Sequence, residues 1–309
     1  MSDSLPPRVT LALTVGVLSF AFAPILVRWA SEAPGLTIAV WRTSTAALVM
    51  LPGLAYVYDE VRAFGWCDWG LIIASGTALG AHFIAWIEAL YYTSVASASV
   101  LATTSPVFVA VLGYLILKDR LAWPVVSGIV VAVGGAALMG LTDAGAVAFG
   151  AEAWWGNTLA LSAALLVSIY LLIGRAIRQR VSWLAYLIPL YSVAALVTLV
   201  AAAGQGVPLT GFDPVVYACG IGLALGPQVL GHSAFNFALQ RVPAALIGML
   251  ALLEPVGASI LAYFLFGEAP GLWSAAGMVV VLGAVAFVVL YRSRTATPKP
   301  DDTSLQKSP

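Results

Sequence analysis

Long apolar runs alternate with short polar breaks from one end of the chain to the other. A helix needs about 20 consecutive apolar residues to cross the hydrocarbon core of a bilayer. Ten runs of that kind can be drawn, at 9–29, 36–57, 69–92, 95–117, 122–141, 154–174, 183–203, 214–238, 243–266 and 271–291. The breaks between them carry turn residues and charge, as in Ala33-Pro34-Gly35, Lys118-Asp119-Arg120 and Gly267-Glu268-Ala269-Pro270-Gly271. Backbone in lipid must satisfy its own hydrogen bonds, and apolar runs of this length do so as helices. The pattern predicts an all-α polytopic membrane protein with ten transmembrane helices.

Composition sharpens that picture by exclusion. Of 309 residues, 61% are apolar or aromatic and 9% are charged, against about 45–50% and about 25% in a soluble domain. So few charges cannot cover the surface of a soluble enzyme. The formal net charge of +0 gives no electrostatic footprint for nucleic acid. Cys67 and Cys219 are too few and too far apart for a disulfide scaffold or a metal pair, so neither metal nor cofactor is expected. Eight of the ten Trp fall at ends of the apolar runs, where an aromatic belt belongs. Ala21-Phe22-Ala23 looks like a signal-peptide cleavage site, but the apolar run continues past it and the first span is expected to be retained.

Basic residues set the orientation. With the N-terminus inside, twelve of the fourteen Lys and Arg fall in cytoplasmic segments; Arg28 lies outside and Arg42 within a span. Both termini are therefore expected in the cytoplasm, with the chain in the cell (inner) membrane. The segment 293–309 is rich in Pro, Lys, Asp and Ser and is expected to be a disordered cytoplasmic tail.

The chain repeats itself. At a shift of 149 residues, Ala89-Leu90 falls on Ala238-Leu239, Pro106 on Pro255, Tyr114 on Tyr263, Asp119 on Glu268, Gly128 on Gly277 and Gly134 on Gly283. At a shift of 148, Thr10-Leu11-Ala12-Leu13 falls on Thr158-Leu159-Ala160-Leu161. Two halves of five spans follow, 1–149 and 150–292. Because five is odd, the second half enters the membrane from the opposite side. Inverted repeats of this kind are a recurring plan of secondary transporters.

Particular segments add a family resemblance. One runs from Leu79-Gly80-Ala81-His82-Phe83 through Trp86 and Ala89-Leu90-Tyr91-Tyr92-Thr93-Ser94-Val95-Ala96 to Pro106-Val107-Phe108. The other runs from Gly231-His232-Ser233 through Asn236-Phe237-Ala238-Leu239 to Leu253-Glu254-Pro255-Val256. With Trp41-Arg42, they resemble the EamA-type branch of the drug/metabolite transporter (DMT) superfamily. The resemblance implies a DMT-like fold in which the first four helices of each half line a central cavity and the fifth packs outside. It also implies export of small metabolites, among them amino acids and drugs, by alternating access. It does not specify the cargo.

Ionisable groups inside a bilayer are costly and usually face a cavity or a partner. His82 sits near mid-membrane and shares a helix face with Trp86, four residues on. Gln228, His232 and Asn236 recur every four residues along the eighth span. Arg42 lies about two turns inside the second span, at roughly 3.6 residues per turn. With Thr103 and Thr104, which precede Pro106, these are the candidate substrate-binding residues. The alternative for each is structural: a histidine satisfied by a carbonyl, a polar stripe holding helices together, an arginine that snorkels or pairs. Glu254, His82 and His232 are the candidates for proton coupling, with facilitated diffusion or exchange as the alternative. Glu254 could instead cap amides freed near Pro255. Pro106 and Pro255 are expected to kink matched helices. Glu88, near the end of its span, is expected to snorkel.

Gly128, Ala132, Ala136 and Gly140 form a ridge of small residues that either packs the fifth span on the tenth or offers a homodimer face. No zinc, nucleotide or channel-filter motif appears, which disfavours an intramembrane enzyme or a channel. A transporter of a small-molecule substrate in a lipid bilayer is the reading that follows. A membrane sensor is the weaker alternative.

Overall fold

The computed structural model describes residues 6–93, 98, 101–118, 120–143, 151–267 and 269–295. Among them every regular element is a helix. Helix α1 is Pro7–Trp29, α2 Gly35–Arg62, α3 Trp66–Tyr92, α4 Ser105–Ile116 and α5 Trp123–Asp143. The second half follows with α6 Ala151–Ile177, α7 Trp183–Gln205, α8 Pro214–Ala238, α9 Ala244–Phe266 and α10 Leu272–Thr295. All but α4 and α5 have described helical stretches long and apolar enough to span a membrane as they stand. The expected start of the fourth span, the repeat residues Asp119 and Glu268, and Ser94-Val95-Ala96 lie outside the described residues. So does the expected tail from residue 296 on, while its first residues, 293–295, continue α10.

The packing obeys the repeat. Helix α7 lies along α2, α9 on α4, and α10 on α5, so each packs against its own counterpart. Helix α3 packs along α6, and α8 along α1, which is the same pairing with the halves exchanged. Likewise α3 also contacts α7, and α8 contacts α2. Two five-helix repeats of opposite orientation are thus joined about a pseudo-two-fold axis. The duplication shows in sequence within α2 and α7 too: Ser44-Thr45-Ala46-Ala47-Leu48-Val49 falls on Ser192-Val193-Ala194-Ala195-Leu196-Val197 at a shift of 148. Tryptophans 29, 66, 123, 154, 155 and 273 are exposed near helix ends, as a belt requires.

Small residues decide the α5–α10 contact. A Cβ added at Gly277 would stand 2.5 Å from the Gly135 carbonyl oxygen, and one at Gly128 2.2 Å from Val288 Cγ2. Ala132 and Ala136 are buried in the same seam. The ridge expected to serve either α10 or a second copy is filled by α10 of the same chain. A homodimer using it would have to part these two helices. The side chain at position 140 lies outside the description.

Each matched proline follows a local interruption of its helix. Residues 103–104 form a turn and α4 begins at Ser105, with Pro106 in its first turn. In α9 the helix breaks at Leu252 and restarts with Leu253-Glu254-Pro255. Proline is tolerated in a first turn because its missing N–H has no intrahelical partner there. Both breaks fall at the same position of the repeat.

Candidate functional site

The two breaks open onto one cavity between the halves. It measures about 70 Å3, room for roughly five waters at about 10–15 Å3 each, or for part of a compact metabolite. Its walls alternate between equivalent positions of the repeat. Ala102 and Ala251, Ser105 and Glu254, and Trp86 and Phe235 are pairs at a shift of 149, and Ala23 and Leu171 are a pair at 148. The charged groups break the symmetry. Arg42 of α2 corresponds to Leu190 in α7, and Glu254 of α9 corresponds to Ser105 in α4. One half supplies the cation and the other the carboxylate.

Arg42 neither snorkels nor pairs with a carboxylate. It is 2% exposed. Its guanidinium carbon lies 3.8 Å from the centre of the Phe83 ring, a cation–π contact that offsets part of the cost of burying the charge. Its Nε donates to Gln228 Oε1 at 3.3 Å. No hydrogen bond to its terminal nitrogens is present among the described residues, and the side chain lines the cavity. Glu254 lines the same cavity and accepts no hydrogen bond among the described residues; no ion pair joins it to Arg42. The amide cap expected as its alternative role is not formed there.

Both histidines reach the cavity. His82 Nδ1 lies 2.8 Å from the carbonyl oxygen of Ala163. A carbonyl only accepts, so Nδ1 carries the proton, and in the neutral ring Nε2 is left as an acceptor. His82 thus has the backbone partner of the structural reading while also lining the cavity. His232 packs edge-on against Phe20 at 4.8 Å and Phe83 at 5.2 Å, and its ring centre is 6.3 Å from that of His82. Trp86 and Thr103 complete the predicted residues that converge here.

Three predicted residues do not line it. Gln228 is fully buried; its side chain holds Arg42, and its backbone carbonyl accepts from the Tyr191 hydroxyl at 2.9 Å. Asn236 is fully buried and donates to the Tyr170 hydroxyl and to the His232 carbonyl, the latter at 2.8 Å. Thr104 donates its hydroxyl to the Leu101 carbonyl at 2.6 Å. Helix α8 is π-wound over Ala224–His232, with Pro227 inside, and the stripe's first and last members turn to partners on neighbouring helices, Arg42 and Tyr170. Glu88 is half-buried, with its carboxylate beside Gly35 at the start of α2, where the positive end of that helix favours a negative charge.

Sequence reasoning missed Phe20, Ser105, Phe235 and the Arg42-bearing Phe83. Phe235 was accessible as the repeat partner of Trp86, and Ser105 as that of Glu254. Nothing in the sequence singles out Phe20 among the apolar residues of α1.

Fold and cavity define a multi-pass membrane protein of the inverted-repeat transporter class. The EamA-like transporter family model matches the chain twice, over residues 8–141 and 154–290. The chain belongs to the EamA-like transporter family. A curated relative, "Uncharacterized transporter YetK" of Bacillus subtilis (strain 168), is 23% identical over 238 residues, 76% of this chain and 72% of that protein. A solved crystal structure matches with a TM-score of 0.79 over 94% of this chain and 99% of the other; at 17% identity it shows the fold alone.

Proposed function

We propose that this DMT-type transporter exports a small metabolite from the cytoplasm across the inner membrane, using the cavity between its halves as the substrate site. The observation that carries the reading is the convergence of Arg42, His82, His232 and Glu254, from both halves, on one space at the breaks of α4 and α9. Interrupted helices at matched positions are the feature expected at a transporter's site. Rocking of the halves about that site would expose it to each side in turn. In this reading the N-terminus and C-terminus face the cytoplasm, because that orientation keeps nearly all Lys and Arg on the inner side. Glu254, His82 and His232 are the groups available to couple transport to protons.

The test is reconstitution of the full chain in liposomes, with release of labelled amino acids and organic cations followed with and without a pH gradient. Saturable release that His82→Ala impairs, with unchanged membrane insertion, supports the reading. No release of any solute overturns it. Release that ignores the gradient removes proton coupling and leaves facilitated diffusion.

A further inference from the structure

We infer that Arg180 with Asp68, and Glu32 with Asp213, are matched latches on opposite faces of the membrane, and that opening the cavity to one side breaks the latch of that side while the other holds. The inference deepens the rocking of the halves proposed above and rests on it.

The repeat brings the two latches into register. Pro34 and Ser182 are the N-caps of α2 and α7, and Gly65 and Asp213 are those of α3 and α8. Each is a pair at a shift of 148, and so are Glu32 and Arg180. On one face the Glu32 carboxylate accepts from the Asp213 amide at 3.2 Å. On the other the Gly65 amide donates to Asp68 Oδ2 at 3.2 Å, and the Arg180 guanidinium meets Asp68 Oδ1 at 2.7 Å. One repeat position therefore reaches the start of the third helix of the opposite half on both faces. It does so with opposite charges. Helix α8 offers Glu32 its cap amide directly, whereas in α3 that amide is already held by Asp68, which then takes a cation. Both arrangements leave a carboxylate at the positive end of a helix, where it is favoured.

A second set of contacts backs each latch. The Ser182 amide donates to Glu60 Oε1 at 2.6 Å. Pro34 stands in the place of Ser182 and has no N–H to give. The other face instead uses side chains further along α2: Thr37 Oγ1 donates to the Pro208 carbonyl at 2.8 Å and Trp41 Nε1 to the Leu209 carbonyl at 2.9 Å. Pro208 is itself the repeat partner of Glu60. All of these contacts join one half to the other. The 28 residues of α2 separate the two sets, by about 40 Å at roughly 1.5 Å per residue, with the cavity between them. Rocking about the cavity moves the two faces in opposite senses, so the contacts of one face part while those of the other close. Both sets are made in this structure. Arg180 is exposed, and an exposed ion pair biases an equilibrium by no more than about fivefold. Such a latch favours closure of its face without arresting the cycle.

The experiment uses the full chain in lipid nanodiscs, with Cys67→Ser and Cys219→Ser, and nitroxide labels on cysteines introduced at exposed positions. Arg62→Cys with Gln179→Cys reports the Arg180 face, and Ser31→Cys with Thr210→Cys the Glu32 face. Distances are read by pulsed electron paramagnetic resonance. Arg180→Ala, which leaves the Asp68 cap in place, is expected to raise the long-distance fraction on its own face about two- to fivefold and not to raise that on the Glu32 face. Glu32→Ala should do the reverse. Arg180→Lys keeps the charge and should stay near the wild-type distribution. Should Arg180→Ala fail to fold, Asp68→Asn breaks the same pair and is read in the same way. The inference is overturned if neither variant widens its own face, or if either widens both. Release of labelled amino acids and organic cations from liposomes is measured alongside on the wild-type chain. If release occurs while the distances do not respond, the latches fall and the transporter reading stands. If no solute is released, the transporter reading falls, and the distances still decide whether the two faces open separately.

Discussion

The guanidinium carbon of Arg42 rests 3.8 Å above the centre of the Phe83 ring. Phe83 stands at the repeat position of His232, so the two halves place an aromatic ring and an imidazole at equivalent points and use them differently. Replacing Phe83 by Leu keeps the bulk and removes the ring face. A desolvated cation–π contact is worth about 2 kcal/mol, so affinity for a carboxylate-bearing substrate should fall by roughly 30-fold, at tenfold per 1.4 kcal/mol. Counterflow kinetics should show this in KM, with expression unchanged.

His82 holds Ala163 with one nitrogen and presents the other to the cavity. Asparagine can still offer an N–H to that carbonyl. His82→Asn should retain Tm and lose transport, whereas His82→Ala should lose both, by about 1 kcal/mol of stability for the missing hydrogen bond. Thermal unfolding and flux measured on the same preparations separate the two roles. Full flux in His82→Asn would mean that the cavity-facing nitrogen does nothing in transport.

Gly277 and Gly134 are both glycines of the α5–α10 pair, but their surroundings differ. A Cβ at Gly277 meets the Gly135 oxygen at 2.5 Å and Met139 Cγ at 2.6 Å, while one at Gly134 meets nothing within 4 Å. Gly277→Val should cost at least about 1–3 kcal/mol through overpacking and lower Tm by several degrees. Gly134→Ala should be neutral or slightly stabilising. Neither residue touches the cavity, so substrate affinity in the folded fraction should be unchanged for both.

Arg178, just after α6, is 2% exposed and ties the α6–α7 corner to α8. It donates to the carbonyls of Val181 and Asn236. Burial lowers its pKa and nearby Glu60 opposes that shift. Because the folded pKa lies below the unfolded one, its linkage to stability appears only at alkaline pH, where an arginine begins to titrate, and not near neutrality. Arg178→Ala leaves two carbonyls without this donor and should cost about 1–3 kcal/mol. Lysine, with one point of charge in place of a planar fork, should restore little of the lost Tm.

The amino-acid sequence by itself determined the spans, the duplication and the family. These are written in the period and length of apolar runs, because a bilayer imposes the same requirement on every crossing segment. It also pointed to the α5–α10 seam, since small residues four apart have few uses other than close helix contact. It named Arg42, His82, Trp86, Thr103, His232 and Glu254, because polar groups are rare in such runs and stand out.

What only the tertiary structure decided is which of those groups are free to act. Gln228 and Asn236 look like cavity residues in sequence but lie off the cavity, Gln228 Oε1 accepting from Arg42 and Asn236 Nδ2 donating to Tyr170 and the His232 carbonyl, while Gln228 Nε2 and Asn236 Oδ1 are buried without a partner among the described residues. Glu88 lies beside Gly35 at the start of α2, away from the cavity. A hydrogen-bond partner 66 or 186 residues away leaves no trace in local spacing. The prolines were legible as breaks, but whether they bend a helix or begin one depended on the backbone before them. Rare polar groups in the apolar runs mark the candidates; only the packing of helices from both halves decides that Arg42, His82, His232 and Glu254 line one cavity while Gln228 and Asn236 do not.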